Sequence, residues 1–176
     1  YTAEKFLLSR KLMYLQVYMH KTVLSAEHTL MNILKRAKYL TKKNHNIFTT
    51  NNLKKFLEDS IDMTNMKNLN KNLDYFSQLD DYDILISIKE WQKSDDFILS
   101  TLSKQIIERK LNKIKEIESN EVSITLKRIK EKLSKTHLIN KNDINYLAFP
   151  IRTKHKIYTP NKNPIYILKE KKHNYV

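Results

Sequence analysis

AEKFLLSRKLMYLQVYMHKTVLSAEHTLMNILKRAKYL, residues 3–40, decides the fold, because this stretch contains neither proline nor glycine and repeats apolar residues at helical spacing. The stretch from Thr2 to about Lys43 is therefore predicted to be helical. A single helix of that length would be unusual, so two helices broken near residues 20–22 are the alternative. The apolar residues that carry the pattern are Phe6, Leu7, Met13, Tyr14, Val17, Tyr18, Val23, Leu24, Leu30, Ile33, Leu34 and Ala37.

Shorter helices are predicted downstream, near residues 53–57, 73–79, 81–91, 95–109 and 121–135. Thr50 or Asn51 is expected to cap the first of these helices, and Ser94 the fourth. Asp80, Asp81 and Asp83 open the third helix, where carboxylates favour the helix dipole.

The apolar period changes after Arg109. Residues 111–117 fit either a strand or a continued helix, and the runs 146–149, 156–158 and 165–168 predict strands separated by prolines. The predicted fold is therefore mainly α-helical over residues 1–109. A small α+β subdomain with an antiparallel sheet is expected over residues 110–176.

The composition gives a net charge of +14, which favours a polyanionic partner such as nucleic acid or nucleotide phosphates. A biased base composition is the alternative source of the charge, since the chain has 28 Lys, 5 Arg, 17 Asn and no Gly. Cysteine is absent, which excludes disulfides and thiolate metal sites. With no bilayer-spanning apolar run and no signal peptide, we expect a cytoplasmic protein that does not enter membranes. A segment preceding Tyr1 is also expected, because the chain opens inside a predicted helix.

No residue set in the sequence has the spacing of a metal site. His20, Glu27 and His28 share a helical face but lie two turns apart, roughly 11 Å along the axis, which is too far for one ion. Helix capping explains the aspartates at 80, 81 and 83 better than a cation site does. We therefore predict neither a metal site nor a catalytic residue within this segment.

Basic and aromatic residues alternate on one face of the first predicted helix: Arg10, Tyr14, Tyr18 and Lys21 are spaced by four, four and three. Such a face suits a nucleotide, with guanidinium on phosphate and rings on sugar or base. In the alternative interpretation the tyrosines belong to the core and the cations lie beside them with their charged ends in water.

The stretch at 3–40 resembles the segment that follows the metal core in bacterial HD-domain phosphohydrolases, a group that is similar to the dNTP triphosphohydrolases. The most specific part is RKLMYLQVYMHKT at residues 10–22. Further similarity lies in QLDDYDILISIKEW at 78–91, IERKLNKI at 107–114 and NPIYILK at 163–169.

The resemblance implies roles for several residues. Arg10 matches an arginine that contacts substrate phosphates, and Tyr18 matches a tyrosine packed against the deoxyribose. His20 and Lys21 match the pair beyond it, near the nucleotide. Tyr14 stands where triphosphohydrolases often have histidine.

The same resemblance implies a regulatory nucleotide site and a partner for this segment. Arg109 and Lys113 match basic residues that bind a regulatory nucleotide in a vertebrate relative. The family's divalent metal ligands lie upstream of this region, so we expect an N-terminal HD half that completes the site, and a homo-oligomer. The expected function is dNTP hydrolysis by the complete enzyme, with this segment inactive alone. A non-enzymatic nucleic-acid-binding or oligomerisation module is the alternative.

Overall fold

The computed structural model describes residues 2–58, 73–135, 139–140 and 142–152. Within these residues the regular secondary structure is helical and no strand occurs, which confirms the mainly α-helical class. The elements are α1 (Thr2–Met13), a π-helical segment (Tyr14–Tyr18), α2 (Lys21–Lys42), α3 (Asn51–Glu58), α4 (73–78), α5 (Asp81–Trp91), α6 (Phe97–Ile107), α7 (Val122–Lys135) and α8 (Ile144–Leu147).

The chain divides into two compact units. Lys21–Ile151 form one unit, and the described residues 2–20 and 152 belong to the other. The first predicted helix is thus interrupted at Met19 and His20, which confirms the two-helix alternative. The subdomain division expected between residues 109 and 110 stays a prediction, because residues 153–176 lie outside the described part.

The core of the larger unit lies where α2, α3, α5 and α6 pack together. Helix α2 contacts α3 and α6, α5 contacts α3 and α6, and α8 lies against α6 and α7. The indole of Trp91 is buried, and its Nε1–H donates to the carbonyl of Phe48 at 2.7 Å. The buried apolar side chains of this central cluster are Ile33, Ala37, Leu40, Leu53, Leu57, Ile88, Trp91, Ile98, Leu99 and Leu102.

Side-chain caps fix where the helices of this core begin. The hydroxyl of Thr50 accepts from the N–H of Leu53 at 3.4 Å, as the sequence predicts. Asp80 and Asp83 form a reciprocal capping box at the start of α5, which confirms the capping interpretation of these aspartates. The prediction for Ser94 is wrong, because Asp96 is the N-cap of α6 and accepts from Leu99 N–H at 2.8 Å.

The strand predicted at residues 146–149 is also wrong. The segment Ile144–Leu147 is one helical turn, started by amides of Asp143 and Ile144 that donate to the Asn140 carbonyl. A four-residue apolar run cannot distinguish a strand from one buried helical turn. Residues 111–117 are neither strand nor helix. The runs 156–158 and 165–168 lie outside the described residues, so the antiparallel sheet stays a prediction.

Candidate functional site

Two side chains predicted to bind a nucleotide, those of Arg10 and Tyr18, are stacked with Tyr14 along α1 and the π-helical segment. The guanidinium carbon of Arg10 lies 5.7 Å from the ring centroid of Tyr14, and the rings of Tyr14 and Tyr18 are 5.0 Å apart, tilted by 38°. We call this set the Arg10–Tyr18 ladder. Arg10 and Tyr18 are exposed and Tyr14 is half-buried. The shared face inferred from the spacing is therefore present for these three residues.

The π-helical segment at Tyr14–Tyr18 widens the helix beneath the ladder. The amide of Met19 donates to the Tyr14 carbonyl at 2.8 Å, a five-residue step instead of the four-residue step of an α-helix. Such π turns are frequent at functional sites, where they re-aim side chains. The helix ends just beyond Tyr18, the last residue of the ladder. Tyr18 therefore stands next to an interruption of the helix.

The other two predicted substrate residues follow this break. His20 lies outside any helix, is exposed, and its amide donates to the Val17 carbonyl at 3.4 Å. Lys21 is the first residue of α2, in the larger unit, and its ammonium pairs with Glu116 at 3.1 Å. Both partners of this pair are mostly exposed, so it contributes little to stability.

The predicted regulatory residues Arg109 and Lys113 are exposed beyond the end of α6. Arg109 has a φ of 56°, the left-handed conformation that normally belongs to glycine. Its amide donates to Ile106 O, and the amide of Lys110 donates to Gln105 O, which is the Schellman pattern that ends a helix. Arg109 therefore has a backbone role that the sequence did not indicate.

The segment that carries Lys113 is tied to two helices through its neighbour Asn112. The Asn112 carbonyl accepts from Ser25 Oγ at 2.7 Å, and its side-chain oxygen accepts from Gln105 Nε2 at 3.1 Å. These bonds hold the segment against α2 and α6, although it has no regular secondary structure.

A buried charge cluster around Arg36 was missed by the sequence analysis. The Arg36 guanidinium donates to Asp96 through Nε at 3.0 Å and Nη2 at 2.6 Å, and to Asp143 through Nη1 at 2.6 Å. It also lies 5.1 Å from the ring centroid of Tyr39 and 5.4 Å from that of Tyr146. Arg36 is only 7% exposed, and its carboxylate partners come from the N-cap of α6 and from the turn before α8. The cluster therefore joins α2 to two distant parts of the sequence.

The pKa values in this cluster follow from the same contacts. Burial on its own would raise the pKa of Asp96, but the hydrogen bonds from Arg36 and the Leu99 amide, together with the charge of Arg36, lower the pKa below its ordinary value. Burial alone would lower the pKa of Arg36. The hydrogen bonds and charges of the two carboxylates outweigh this effect of burial and raise that pKa. Both groups are thus held in their charged forms.

One signal in the sequence could have found Arg36. In a chain with 28 Lys and 5 Arg, each arginine is a candidate for a position where a lysine would not serve. A planar fork that binds two carboxylates and stacks on rings is such a case, because an ammonium offers neither geometry. The partners lie 60 and 107 residues away, so no local pattern identifies them.

The described residues do not offer a metal site. No group of three or more His, Asp or Glu side chains among them is arranged to hold an ion. The ring of His28 instead lies 5.8 Å from that of Phe149. None of the described helices is long and apolar enough to cross a bilayer.

Comparison with known proteins relates this helical chain to a phosphohydrolase. No family model matches the chain. It superposes on the crystal structure of a phosphohydrolase from Bacteroides thetaiotaomicron with a TM-score of 0.70 and 36% identity, over 81% of this chain and 36% of that one. It is also 31% identical over 121 residues to the uncharacterised protein YwfO of Bacillus subtilis, which is 69% of this chain and 26% of YwfO. The chain thus has the fold of part of a phosphohydrolase and spans about a third or less of either relative.

Proposed function

We propose that this chain is the helical part of a metal-dependent phosphohydrolase of the HD family, with deoxynucleoside triphosphates as substrates. The observation that carries the proposal is the similarity in fold and sequence to a phosphohydrolase. HD membership and the dNTP substrate rest on the family resemblance of the motifs at 10–22, 78–91 and 107–114.

In this proposal the Arg10–Tyr18 ladder forms one wall of the substrate pocket. Arg10 binds phosphate oxygens through two N–H groups, and Tyr18 lies against the sugar, where a 2′-hydroxyl would collide with the ring. The exposure of both side chains and the π turn between them support these roles. His20 and Lys21 complete the nucleotide surroundings, and Arg109 with Lys113 bind a regulatory nucleotide.

The metal is proposed to be held by other residues, because the described ones do not fit it. A divalent ion in such enzymes activates the water that attacks the phosphoester. We place its ligands in an N-terminal HD half that corresponds to sequence of the relatives beyond the matched part. The chain on its own is then expected to be inactive.

Exposed apolar side chains on α1 and the π-helical segment support a packing partner for this helix. Seven large apolar residues between Phe6 and Tyr18 are 45–63% exposed. A concentration of this kind usually marks an interface rather than a solvated surface. We propose that the HD half covers this helix, and that a homo-oligomer forms around the completed fold.

A chimera tests the proposal. This chain would replace the matched segment of the Bacteroides phosphohydrolase, and metal-dependent hydrolysis of dATP would be measured. Arg10→Lys is expected to lower kcat/KM for dATP about tenfold, because a lysine keeps the charge but loses the bidentate fork. Tyr18→Ala should instead reduce discrimination between dATP and ATP. Lys11→Ala, an exposed neighbour on α1, is the matched control and should leave both quantities unchanged.

Two results would contradict the proposal. One is a chimera that unfolds cooperatively by circular dichroism, and is therefore folded, but hydrolyses no dNTP. The other is an Arg10→Lys chimera that loses melting temperature and weakens nucleoside and triphosphate binding equally. The second result would make the ladder a packing element, as the alternative interpretation holds.

A nucleic-acid-binding module remains the second candidate, and α7 is the observation that favours it. This helix has no buried residue, and its basic side chains are Lys127, Arg128, Lys130, Lys132 and Lys135. Binding through such lysines should weaken steeply with salt and show no sequence preference. A nucleotide pocket should prefer dNTP over mixed oligonucleotides at fixed salt.

A further inference from the structure

A hollow of about 470 Å³ opens beside the buried charge cluster, at the end of α2. We call it the Arg36 hollow; the lining residues that matter here are Arg36, Tyr39, Lys43, His45, Asp96 and Asp143. It lies within the larger unit and contains none of the residues of the Arg10–Tyr18 ladder. We propose that this hollow binds an oxyanion, namely a single phosphoryl group.

Arg36 has hydrogen-bond donors that its two carboxylate partners do not use. A guanidinium has five N–H groups, and Asp96 and Asp143 accept three of them. Among the described residues, no side chain or carbonyl accepts the other two, on Nη1 and Nη2. Arg36 is only 7% exposed, and it lines the hollow. Its two spare N–H groups can therefore donate to an oxyanion in the hollow.

The rim of the hollow adds further donors. The ammonium of Lys43 lies 4.9 Å from the ring centroid of Tyr39, and no described carboxylate pairs with it. Tyr39 is 41% exposed, so its ring positions the cation without removing it from water. His45 is exposed on the same rim. Its backbone position is fixed by the Schellman end of α2, in which His45 N–H donates to Leu40 O at 3.0 Å.

The local charge sets the size of the anion. Arg36 and Lys43 balance the charges of Asp96 and Asp143 in the hollow. The net charge of +14 on the chain attracts anions to the surface as a whole. A hollow whose lining has no net charge suits one phosphoryl group better than a triphosphate, which carries more negative charge.

A neighbouring hollow of about 400 Å³ shares His45 and Asp96 and is lined by Phe48, which is 48% exposed. The phosphoryl group could accordingly come from inorganic phosphate or from a nucleoside monophosphate with its base on this ring. Comparing the two ligands in the same titration separates these sources.

The test is a titration of inorganic phosphate into the ¹⁵N-labelled full chain, with ionic strength held constant by sodium chloride. Saturable shifts are expected at the amides of Asn44, His45 and Asp143. Lys43→Ala should weaken the affinity about fivefold, from the loss of one exposed charged hydrogen bond. Lys42→Ala, its exposed neighbour with the same loss of charge, should change the affinity less than twofold.

A parallel titration with deoxyadenosine monophosphate identifies the source of the phosphoryl group. Tighter binding than inorganic phosphate, with new shifts near Phe48, supports a nucleotide ligand in the same hollow. Equal binding supports inorganic phosphate. Non-saturable shifts spread over the lysines, or equal losses in Lys43→Ala and Lys42→Ala, would mean an adventitious ion only and would overturn the proposal.

Discussion

Arg10 and Arg36 both stack on tyrosine rings, but the protein uses them in opposite ways. Arg36 is buried, and two carboxylates and two rings surround its guanidinium. Arg10 is exposed and stacks on a single ring, and no carboxylate of the described residues pairs with it. The same side chain therefore holds helices together in one place and is available to a ligand in the other. Burial and the number of partners distinguish the two roles.

The largest expected effect separates the two arginines by stability. Arg36→Leu leaves the Asp96 and Asp143 carboxylates without their counter-charge, at 17% and 20% side-chain exposure. We expect the free energy of unfolding to fall by about 3 kcal/mol, as is typical when one partner of a largely buried ion pair is removed. Arg10→Leu, the matched control, should change it by less than about 0.5 kcal/mol. Urea unfolding followed by circular dichroism measures the free energy of unfolding of both variants. Equal losses would contradict the different roles of the two arginines.

A smaller expected effect concerns the pH dependence of stability, which tests the contribution of Asp96 to the cluster. Because the folded-state pKa of Asp96 is lowered, its ionised form stabilises the fold above the unfolded pKa of about 3.9. This contribution is fully present at neutral pH and is lost as the pH falls through the folded pKa. Asp96→Asn should cost about 1–2 kcal/mol at pH 7 while keeping a side chain that caps helices well.

The acid profile provides the control for this prediction. The stability of Asp96→Asn should change less than that of the wild type between about pH 5 and pH 2. Asp95→Asn, the exposed neighbour, should keep the wild-type profile. If both variants follow the wild-type curve, the Arg36–Asp96 pair does not contribute to acid stability.

The sequence predicted the helices well because their signals are local. The stripe along α2, the Asp80 box and Thr50 at α3 each lie within a few residues of the feature they determine. The ladder was predicted for the same reason, since Arg10, Tyr14 and Tyr18 are four residues apart on one helix. The π turn beneath it has no sequence signal of its own.

The predictions that were wrong concern features that depend on tertiary contacts, or segments that are too short to show a period. Residues 146 and 147 end a single turn of helix whose place is fixed by Asn32, which donates to the Tyr146 carbonyl across 114 residues at 2.9 Å. The cap at Asp96 was assigned to Ser94 because both residue types cap helices. Asp96 takes the position while also binding Arg36, a contact that propensity does not include. Distant partners, rather than local preference, decided each case.

Arg109 is a third arginine and gives the smallest predicted effect. Its side chain is exposed like that of Arg10, but its backbone occupies the left-handed position that ends α6. Asn44 has the equivalent position at the end of α2, with a φ of 59°. The Cβ atom raises the energy of this conformation, and asparagine tolerates it better than arginine does. The chain contains no glycine, so neither position has the residue that fits it best.

Arg109→Gly should therefore stabilise the fold by about 0.5–1 kcal/mol, because the relief of the left-handed backbone exceeds the entropy that glycine adds to the unfolded chain. Asn44→Gly, the matched control with the same hydrogen-bond pattern, should gain less. Thermal and urea unfolding of both variants against the wild type measure the difference. If Arg109→Gly is less stable than the wild type, the guanidinium of Arg109 stabilises the fold, as that of Arg36 does. If it is more stable, Arg109 would belong with Arg10 as an arginine whose side chain the fold does not need. The contact proposed between its guanidinium and a regulatory nucleotide should weaken in the same variant.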